Sequence, residues 1–399
     1  MKVSRRNAIK KTAAGLTSLM IPPQFLRAAE AVKPFGEDYA NLETLTTGEW
    51  WKRPGNLMTP LKNGRKAGPP NLNIPRNQVV VFALYTQQNE VLKLTAQLFP
   101  LKPGEPRQVR LELKFPKEDW KEVAQAEVLY PGWDAHFRIE EWDDSVDVKY
   151  RVRHGEGAKF EGLIRKDPRN KEEIVVANLS CNSSRTTGPR KEIVDNLRKL
   201  NPDLLFFGGD QTYRHTEHTA GWIEFGLQYR DIIRDRPTVA IPDDHDVGHP
   251  NVWGENGKHS SIPGNADGGY KFPVDYVNLV QRQQTWSLPD PVDPAPVNRN
   301  IGVYFTRLTV GKVDFAILED RKFKTGPAGK IPQMGPRPDH INDPSYDPRK
   351  IDLEGLELLG PRQEKFLEEW TEDWTDSDMK CVLSQTAFCG AVHMHGSRN

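Results

Sequence analysis

Residues 202–213 read PDLLFFGGDQTY and carry the clearest architectural signal in this chain of 399 residues. The apolar run at 204–207 is short enough for a buried strand, and turn-forming residues flank it. The two glycines that follow allow a sharp turn. Asp210 then lies at the carboxyl end of the strand, the edge at which open α/β sheets bind ligands. Tyr213 could bring a phenolate oxygen to the same place. The alternative is an ordinary turn in which Asp210 caps the next helix.

A second stretch repeats this arrangement further along the chain. Residues 238–241 form the short apolar run TVAI, and Pro242 then leads into DDHD at residues 243–246. These carboxylates would repel one another unless a cation or solvent neutralised them, and a solvated acidic turn is the simpler alternative. Because both clusters follow buried-looking strands, we expect them to meet at one sheet edge and to form a binuclear metal site.

Strands and helices alternate around the two clusters. Residues 174–177 predict a first strand, and residues 190–200 and 221–234 predict amphipathic helices. The resulting β-α-β-α-β order predicts a parallel sheet with short crossovers. Residues 303–310 and 313–318 predict a hairpin further on. The helix positions predicted to face the core are Ile193, Val194, Leu197 and Leu200 in the first helix and Trp222, Phe225, Ile232 and Ile233 in the second.

The region before this sheet has a different period. Between residues 78 and 152, short apolar stretches alternate with polar residues in the period-2 pattern of half-buried strands. This pattern predicts an all-β, immunoglobulin-like sandwich over residues 77–168, followed by an α/β domain over residues 169–399. Residues 32–76 have no sustained period and predict an extended lead-in segment.

The motifs at the strand ends resemble those of a known family. GGDQTY at residues 208–213 and PDDHD at residues 242–246 resemble the GDxxY and DDHD/E motifs of the PhoD-like alkaline phosphatases, a branch of the metallophosphoesterases. VVANLSCN at residues 175–182 resembles the strand end at which this branch has a Cys in place of the usual Asp-x-His. The resemblance runs from about residue 80 to the end of the chain, and its motifs are specific in combination. It implies an α/β metallophosphoesterase-like layered sandwich.

The resemblance also implies metal-assisted phosphoester hydrolysis with two metal ions. Asp210 would bridge the two ions, since one carboxylate can give an oxygen to each. Cys181 and Tyr213 would hold the first ion, and their soft sulfur and phenolate oxygen favour Fe(III). Asp244 and Asn251 would hold the second ion through oxygen, which suits Ca²⁺.

Further residues near these strand ends are candidates for the chemistry itself. His245 would stabilise the transition state or protonate the leaving alkoxide, while the metals activate a bound water or oxide. Arg185 or Arg321 could contact the phosphate bidentately. His215 and His218 could be additional ligands or simply polar residues of a loop beside the site.

The family's Gly-Asp-x-His segment, which supplies a metal-binding histidine, has no counterpart in this sequence. We therefore expect the chain to be a C-terminally incomplete metallophosphatase fragment, inactive or nearly so unless His393 or His395 substitutes as a ligand. The rival hypothesis is a secreted binding protein whose degenerate domain holds phosphate or a surface without turnover. The residues leave open the natural substrate and the preference for monoesters or diesters.

Two further signals are a motif at the N-terminus and the charge balance of the whole chain. Residues 1–31 resemble a twin-arginine signal, with SRRNAIK at 4–10 followed by a weakly apolar stretch too short to span a bilayer. This predicts export through the twin-arginine machinery to the periplasm or beyond, the alternative being a basic tail. The formal net charge is zero, which gives no sign of nucleic-acid specificity. We expect the protein to be a monomer and its partner to be a phosphoester substrate.

Overall fold

The computed structural model describes residues 33–53, 59–60, 66–67, 71–183, 188–248, 251–261, 267–332, 335, 343, 345 and 347–386. The predicted export segment lies outside these residues, as do Arg185, His393 and His395. None of the helices in the described ranges has the length and apolar character needed to cross a membrane.

The strands and helices are numbered in chain order. The strands are β1 Thr59–Pro60, β2 Lys66–Ala67, β3 Val80–Gln88, β4 Val91–Leu98, β5 Gln108–Lys114, β6 Lys121–Glu127, β7 Asp134–Ile139, β8 Val148–His154, β9 Ala158–Ile164, β10 Val176–Leu179, β11 Leu204–Phe207, β12 Thr238–Ala240, β13 Thr306–Val310, β14 Val313–Ile317 and β15 Met379–Leu383. The α-helices are α1 Lys191–Leu200, α2 His218–Ile233, α3 Val274–Thr285, α4 Asp320–Phe323 and α5 Gly360–Glu372.

The all-β region consists of two antiparallel sheets that share one hydrophobic core. The first sheet has the order β3-β4-β7 and the second the order β6-β5-β8-β9. β8 follows the period-2 pattern, because Val148, Tyr150 and Val152 are buried while Lys149 is exposed. Buried side chains from both sheets belong to a single core cluster. The immunoglobulin-like class and the domain boundaries stay predictions.

The predicted parallel sheet is present, with β11 between β10 and β12. The four core positions predicted in α2 are fully buried. In α1 only Val194 and Leu197 are buried, whereas Ile193 is 40% and Leu200 64% exposed. The prediction for these two residues is wrong because α1 lies at the surface and buries only a narrow stripe. Leu200 is moreover the last helical residue before Asn201, which has a left-handed φ of 48°.

Helix α2 packs closely against the all-β region as well as against the parallel sheet. The rings of Phe82 in β3 and Trp222 in α2 meet edge to face, with centroids 5.3 Å apart. A Cβ atom added at Gly226 would lie 2.0 Å from the Phe82 ring, so only glycine allows this approach of helix and strand. A second link joins α3 to β7, where the Arg282 guanidinium pairs with the fully buried Asp134 carboxylate at 2.8 Å.

The second half of the α/β region contains another sheet. β13 and β14 form the predicted antiparallel hairpin, and β15 pairs with β14 in parallel. Apolar side chains of these strands pack with those of β11 and β12, including Phe206 and Phe315. Helix α5 buries Phe366 and Trp370 against a neighbouring core cluster to which α3 also contributes. The two sheets therefore form layers around shared apolar contacts.

The lead-in segment is docked onto the loop that precedes α2, which the sequence pattern did not predict. The Glu43 amide donates to the Thr216 carbonyl at 2.7 Å. In return, the Thr219 amide in the first turn of α2 donates to the Glu43 carboxylate at 3.0 Å. Trp133 of the all-β region donates its indole N–H to the Thr46 carbonyl at 2.8 Å. These contacts fix the segment between the two halves of the molecule.

Candidate metal centre

The carboxyl ends of the parallel strands bring the two sequence clusters together. Leu179 at the end of β10 is opposite Phe207 in β11, and Phe207 is opposite Ala240 in β12. Beyond β10, the Cys181 amide donates to the Gly209 carbonyl at 3.1 Å. The chain segments that follow all three strands therefore meet at one edge, as expected for ligand sites in parallel sheets.

Asp210 lies at the centre of this edge. It adopts a left-handed φ of 58°, and its side chain is buried. Its Oδ2 accepts a hydrogen bond from the Tyr213 hydroxyl at 2.8 Å and from the Cys181 thiol at 3.6 Å. Burial, together with the negative charge of Asp244, raises the pKa of Asp210 to about 6. A cation bound here would relieve both effects.

Asp210, Asp244 and His245 each offer one potential ligand atom, and these atoms all lie within 4.8 Å of one another. Asp244 is buried, and its Oδ2 accepts the backbone N–H of Asn251. This bond holds Asn251, whose φ is 59°, next to the carboxylate. The structure thus brings together Cys181, Asp210, Tyr213, Asp244, His245 and Asn251, while their roles as ligands or catalysts stay predictions.

Tyr213 is a hydrogen-bond donor in this arrangement. Burial, followed by the neighbouring Asp210 carboxylate, raises the pKa of the Tyr213 phenol well above its usual range. The proton therefore stays on the phenol while the carboxylate beside it is negative. A cation that took up the charge of Asp210 would reverse this effect, because a nearby positive charge favours the phenolate.

Asp246 organises the backbone under the site. Its Oδ2 accepts the amide of Asp210 at 2.7 Å and that of Asp243 at 3.0 Å, and its Oδ1 accepts the amide of Thr212 at 3.0 Å. Burial, followed by the charge of Asp210, raises the pKa of Asp246 well above its usual value. One carboxyl group thus ties the loop after β11 to the loop after β12.

Asp243 pairs with Arg321 at the start of α4. Its Oδ1 lies 2.7 Å from Arg321 Nε, and the same guanidinium is 4.0 Å from Asp244 Oδ1. Burial raises the pKa of Asp243 to about 7, although the charge of Arg321 favours the carboxylate. In this arrangement Arg321 offsets the charge of the acidic cluster, and its predicted contact with phosphate stays a prediction.

The His245 ring is held between two aromatic neighbours. Its centroid is 4.3 Å from the Tyr213 ring and 4.9 Å from the His215 ring. His245 Nδ1 and His215 Nε2 are 2.6 Å apart and share a hydrogen bond. Burial lowers the pKa of both imidazoles, that of His215 to about 4 with a further contribution from His245.

Among solved structures, the chain matches the structure of PhoD with a TM-score of 0.58 and 16% sequence identity, over 78% of this chain and 62% of that one. The chain is similar in fold to PhoD. The comparison also finds the purple acid phosphatase isolated from yellow lupin (Lupinus luteus) seeds, at a TM-score of 0.40 and 13% identity over 60% of this chain and 44% of that one. No protein-family model and no curated protein matches the sequence.

The chain therefore shares the fold of the PhoD structure, and it spans 62% of the length of the PhoD chain that it matches. The residues at the strand ends fit a metal site on their own chemistry. Buried carboxylates face one another across this edge, next to an imidazole, a phenol and a thiol. Such a donor set binds cations, and burial together with the charge of Asp244 raises the pKa of Asp210, an effect that a bound cation would offset.

Sequence reasoning missed Asp246 and undervalued His215. Asp246 belongs to the acidic cluster that follows β12, but its three bonds to backbone amides depend on the crossing of two loops. For His215 the sequence suggests only an additional ligand or a polar residue of a loop beside the site. The signal that could have favoured it is its place two residues after Tyr213, on the same loop.

Proposed function

We propose that this chain belongs to an exported, metal-dependent phosphoester hydrolase of the PhoD-like kind. The observation that carries the proposal is the convergence of Asp210, Asp244 and His245 at the carboxyl edge of the parallel sheet. Cys181 and Tyr213 both donate hydrogen bonds to the Asp210 carboxylate. A shared fold alone does not define an activity, so the argument rests on these side chains.

The residues divide into two sets of donors. Asp210 is the residue that both sets have in common. Cys181 and Tyr213 would complete a site for a redox-capable ion such as Fe(III), and Asp244 with Asn251 would complete a harder oxygen site that suits Ca²⁺. Metal ions bound there would act as Lewis acids that activate a water or oxide and attract phosphoryl oxygens.

The chain's own groups would complete the chemistry. His245 is neutral at alkaline pH, as any imidazole of ordinary pKa is, and burial lowers its pKa further. Its imidazole can hold a proton for the leaving oxygen at one ring nitrogen. Asp246 holds the loop after β11 and the loop after β12 together by accepting hydrogen bonds from three backbone amides. Arg321 limits the repulsion within the acidic cluster, which allows Asp244 to stay close to Asp210.

The test measures metal content and turnover in the same preparations. The chain is purified with iron and calcium supplied, and hydrolysis of an aryl phosphate monoester and a diester is followed at alkaline pH with and without chelator. Asp210→Asn should remove both metals. His245→Ala should keep them and lower kcat by about 10²- to 10⁴-fold. Asp352→Asn changes an exposed carboxylate and serves as the matched control.

The outcomes separate the alternatives. Full metal content with normal turnover in Asp210→Asn would contradict the proposed centre. Stoichiometric metal binding without hydrolysis of either ester would favour the rival function, a secreted binding protein.

The proposed export is tested separately. Residues 1–31 are fused to a reporter that is active only outside the cytoplasm, and Arg5 and Arg6 are replaced by Lys. Loss of reporter activity in that variant is expected for a twin-arginine signal. Unchanged activity would contradict this route.

A further inference from the structure

We infer that His215 is a positioning residue that holds the His245 imidazole in one orientation and one tautomer, so that its Nε2 serves the site. The hydrogen bond of 2.6 Å joins His215 Nε2 to His245 Nδ1. A neutral imidazole has one nitrogen that donates and one that accepts, so a bond at Nδ1 determines which role is left to Nε2. The catalytic consequence of this inference rests on the proposed function, whereas the orientation of the ring does not.

The His245 ring is restrained from two sides. The His215 ring lies edge to edge with the His245 ring, with centroids 4.9 Å apart, an interplanar angle of 20° and the two bonded nitrogens between the centroids. The Tyr213 ring lies at 4.3 Å with an angle of 36°. Contact with the Tyr213 ring alone would allow the imidazole to flip by half a turn, which exchanges the positions of its nitrogens and carbons. The hydrogen bond with His215 excludes the flipped state, because a carbon would then face His215 Nε2.

His215 is itself fixed by contacts from outside its loop. The Tyr276 hydroxyl of α3 donates to the His215 carbonyl at 2.9 Å. One residue further along, the Thr216 carbonyl accepts the Glu43 amide of the lead-in segment at 2.7 Å. Gly248 packs on the His215 carbonyl so closely that an added Cβ would lie 2.4 Å from its oxygen. A histidine held in this way needs no reordering before it bonds to His245.

The geometry favours positioning over metal ligation for His215. Its Nε2 is already engaged by His245. The potential ligand atoms that cluster within 4.8 Å among the described residues come from Asp210, Asp244 and His245, and His215 is not in that group. The arrangement matches a general pattern in which a second group orients a catalytic or ligating imidazole through its other nitrogen.

The experiment compares two substitutions at His215 with one elsewhere. His215→Phe keeps an aromatic ring in this place but removes the hydrogen bond, and His215→Gln keeps a polar group that can donate or accept. His154→Gln is the matched control, since His154 Nε2 makes a 2.7 Å bond to the Pro106 carbonyl in the all-β region. Each protein is labelled with ¹⁵N-histidine, and the tautomer of His245 is read from long-range ¹H–¹⁵N spectra. Metal content, kcat and KM are measured on the same samples.

In the unchanged chain and in His154→Gln, His245 should show the two distinct nitrogen shifts of a single neutral tautomer. In His215→Phe these shifts should move toward each other as two tautomers exchange, and kcat should fall by about 10- to 100-fold with metal content and KM retained. His215→Gln should recover part of both effects.

Two results would overturn the inference. The first is a single unchanged tautomer of His245 in His215→Phe. The second is loss of metal in His215→Phe to the extent seen in Asp210→Asn, which would make His215 a ligand. If no protein hydrolyses a phosphoester but the tautomer of His245 changes as expected, the proposed function fails and the positioning role of His215 stands.

Discussion

Replacing Glu217 with Gln should remove the loss of stability that rising pH causes at the contact between the lead-in segment and α2. Glu217 precedes α2, and its Oε2 accepts the Leu45 amide at 2.9 Å. The fully buried Glu43 lies beside it and accepts the Thr219 amide. Burial, followed by repulsion from Glu43, raises the pKa of Glu217 to about 8 from an ordinary value of 4.5. Burial also raises the pKa of Glu43.

The direction of the effect follows from this shift. The folded state binds the Glu217 proton more tightly than the unfolded state does. The stability contributed by this proton is therefore fully present below the pKa that Glu217 has in the unfolded chain, and it is lost as the pH rises through the pKa of the folded protein. At about 1.4 kcal/mol for each pH unit, Glu217 should lower the free energy of unfolding by roughly 3–4 kcal/mol between about pH 5 and about pH 8.

The Gln variant has no such proton to lose. Its amide N–H₂ group would face one of the donors that Glu217 now accepts, at a cost of about 1 kcal/mol. Glu217→Gln should therefore be less stable than the unchanged chain by about 1 kcal/mol near pH 5 and more stable by about 2 kcal/mol near pH 8.

Urea unfolding followed by tryptophan fluorescence measures this difference across the pH range. Buried carboxyl groups elsewhere titrate in both proteins, so the difference between the two free energies reports on Glu217 together with its repulsion of Glu43. Glu354→Gln, at an exposed position, is the control and should show a constant difference. A difference between Glu217→Gln and the unchanged chain that stays constant over the range would refute the reasoning.

Two further predictions concern the link between α3 and β7 and the loop that follows β11. Arg282→Ala should lower the free energy of unfolding by about 3–5 kcal/mol in denaturant titrations, because it leaves the buried Asp134 carboxylate without its guanidinium partner. Adding Asp134→Ala should recover much of that loss. Gly209→Ala should weaken metal binding in calorimetric titrations, since the added Cβ would lie 2.4 Å from the Asp243 Cβ. Gly104 also has a positive φ, but its added Cβ would meet nothing within 4 Å, so Gly104→Ala should leave metal affinity unchanged.

Much of the architecture could be predicted from local pattern. The apolar run before Asp210 and the one before Asp243 specify buried strands, and the intervening helical spacing specifies parallel crossovers. Once the strands are parallel, their carboxyl ends must lie at one edge, so the meeting of Asp210 with Asp244 follows from chain order. The inward face of α2 follows in the same way, because an apolar stripe at helical spacing has to be buried.

Local pattern failed where a contact joins segments far apart in the chain. Ile193 has the spacing of a core residue but is half exposed, since what packs over α1 is not encoded in α1. Glu43 looks like an ordinary charged residue of a segment without a period. Its burial comes from the docking of that segment on the first turn of α2. The structure alone reveals the pairing of His215 with His245 and the three amide contacts of Asp246, because hydrogen-bond partners depend on how loops cross in space rather than on residue spacing.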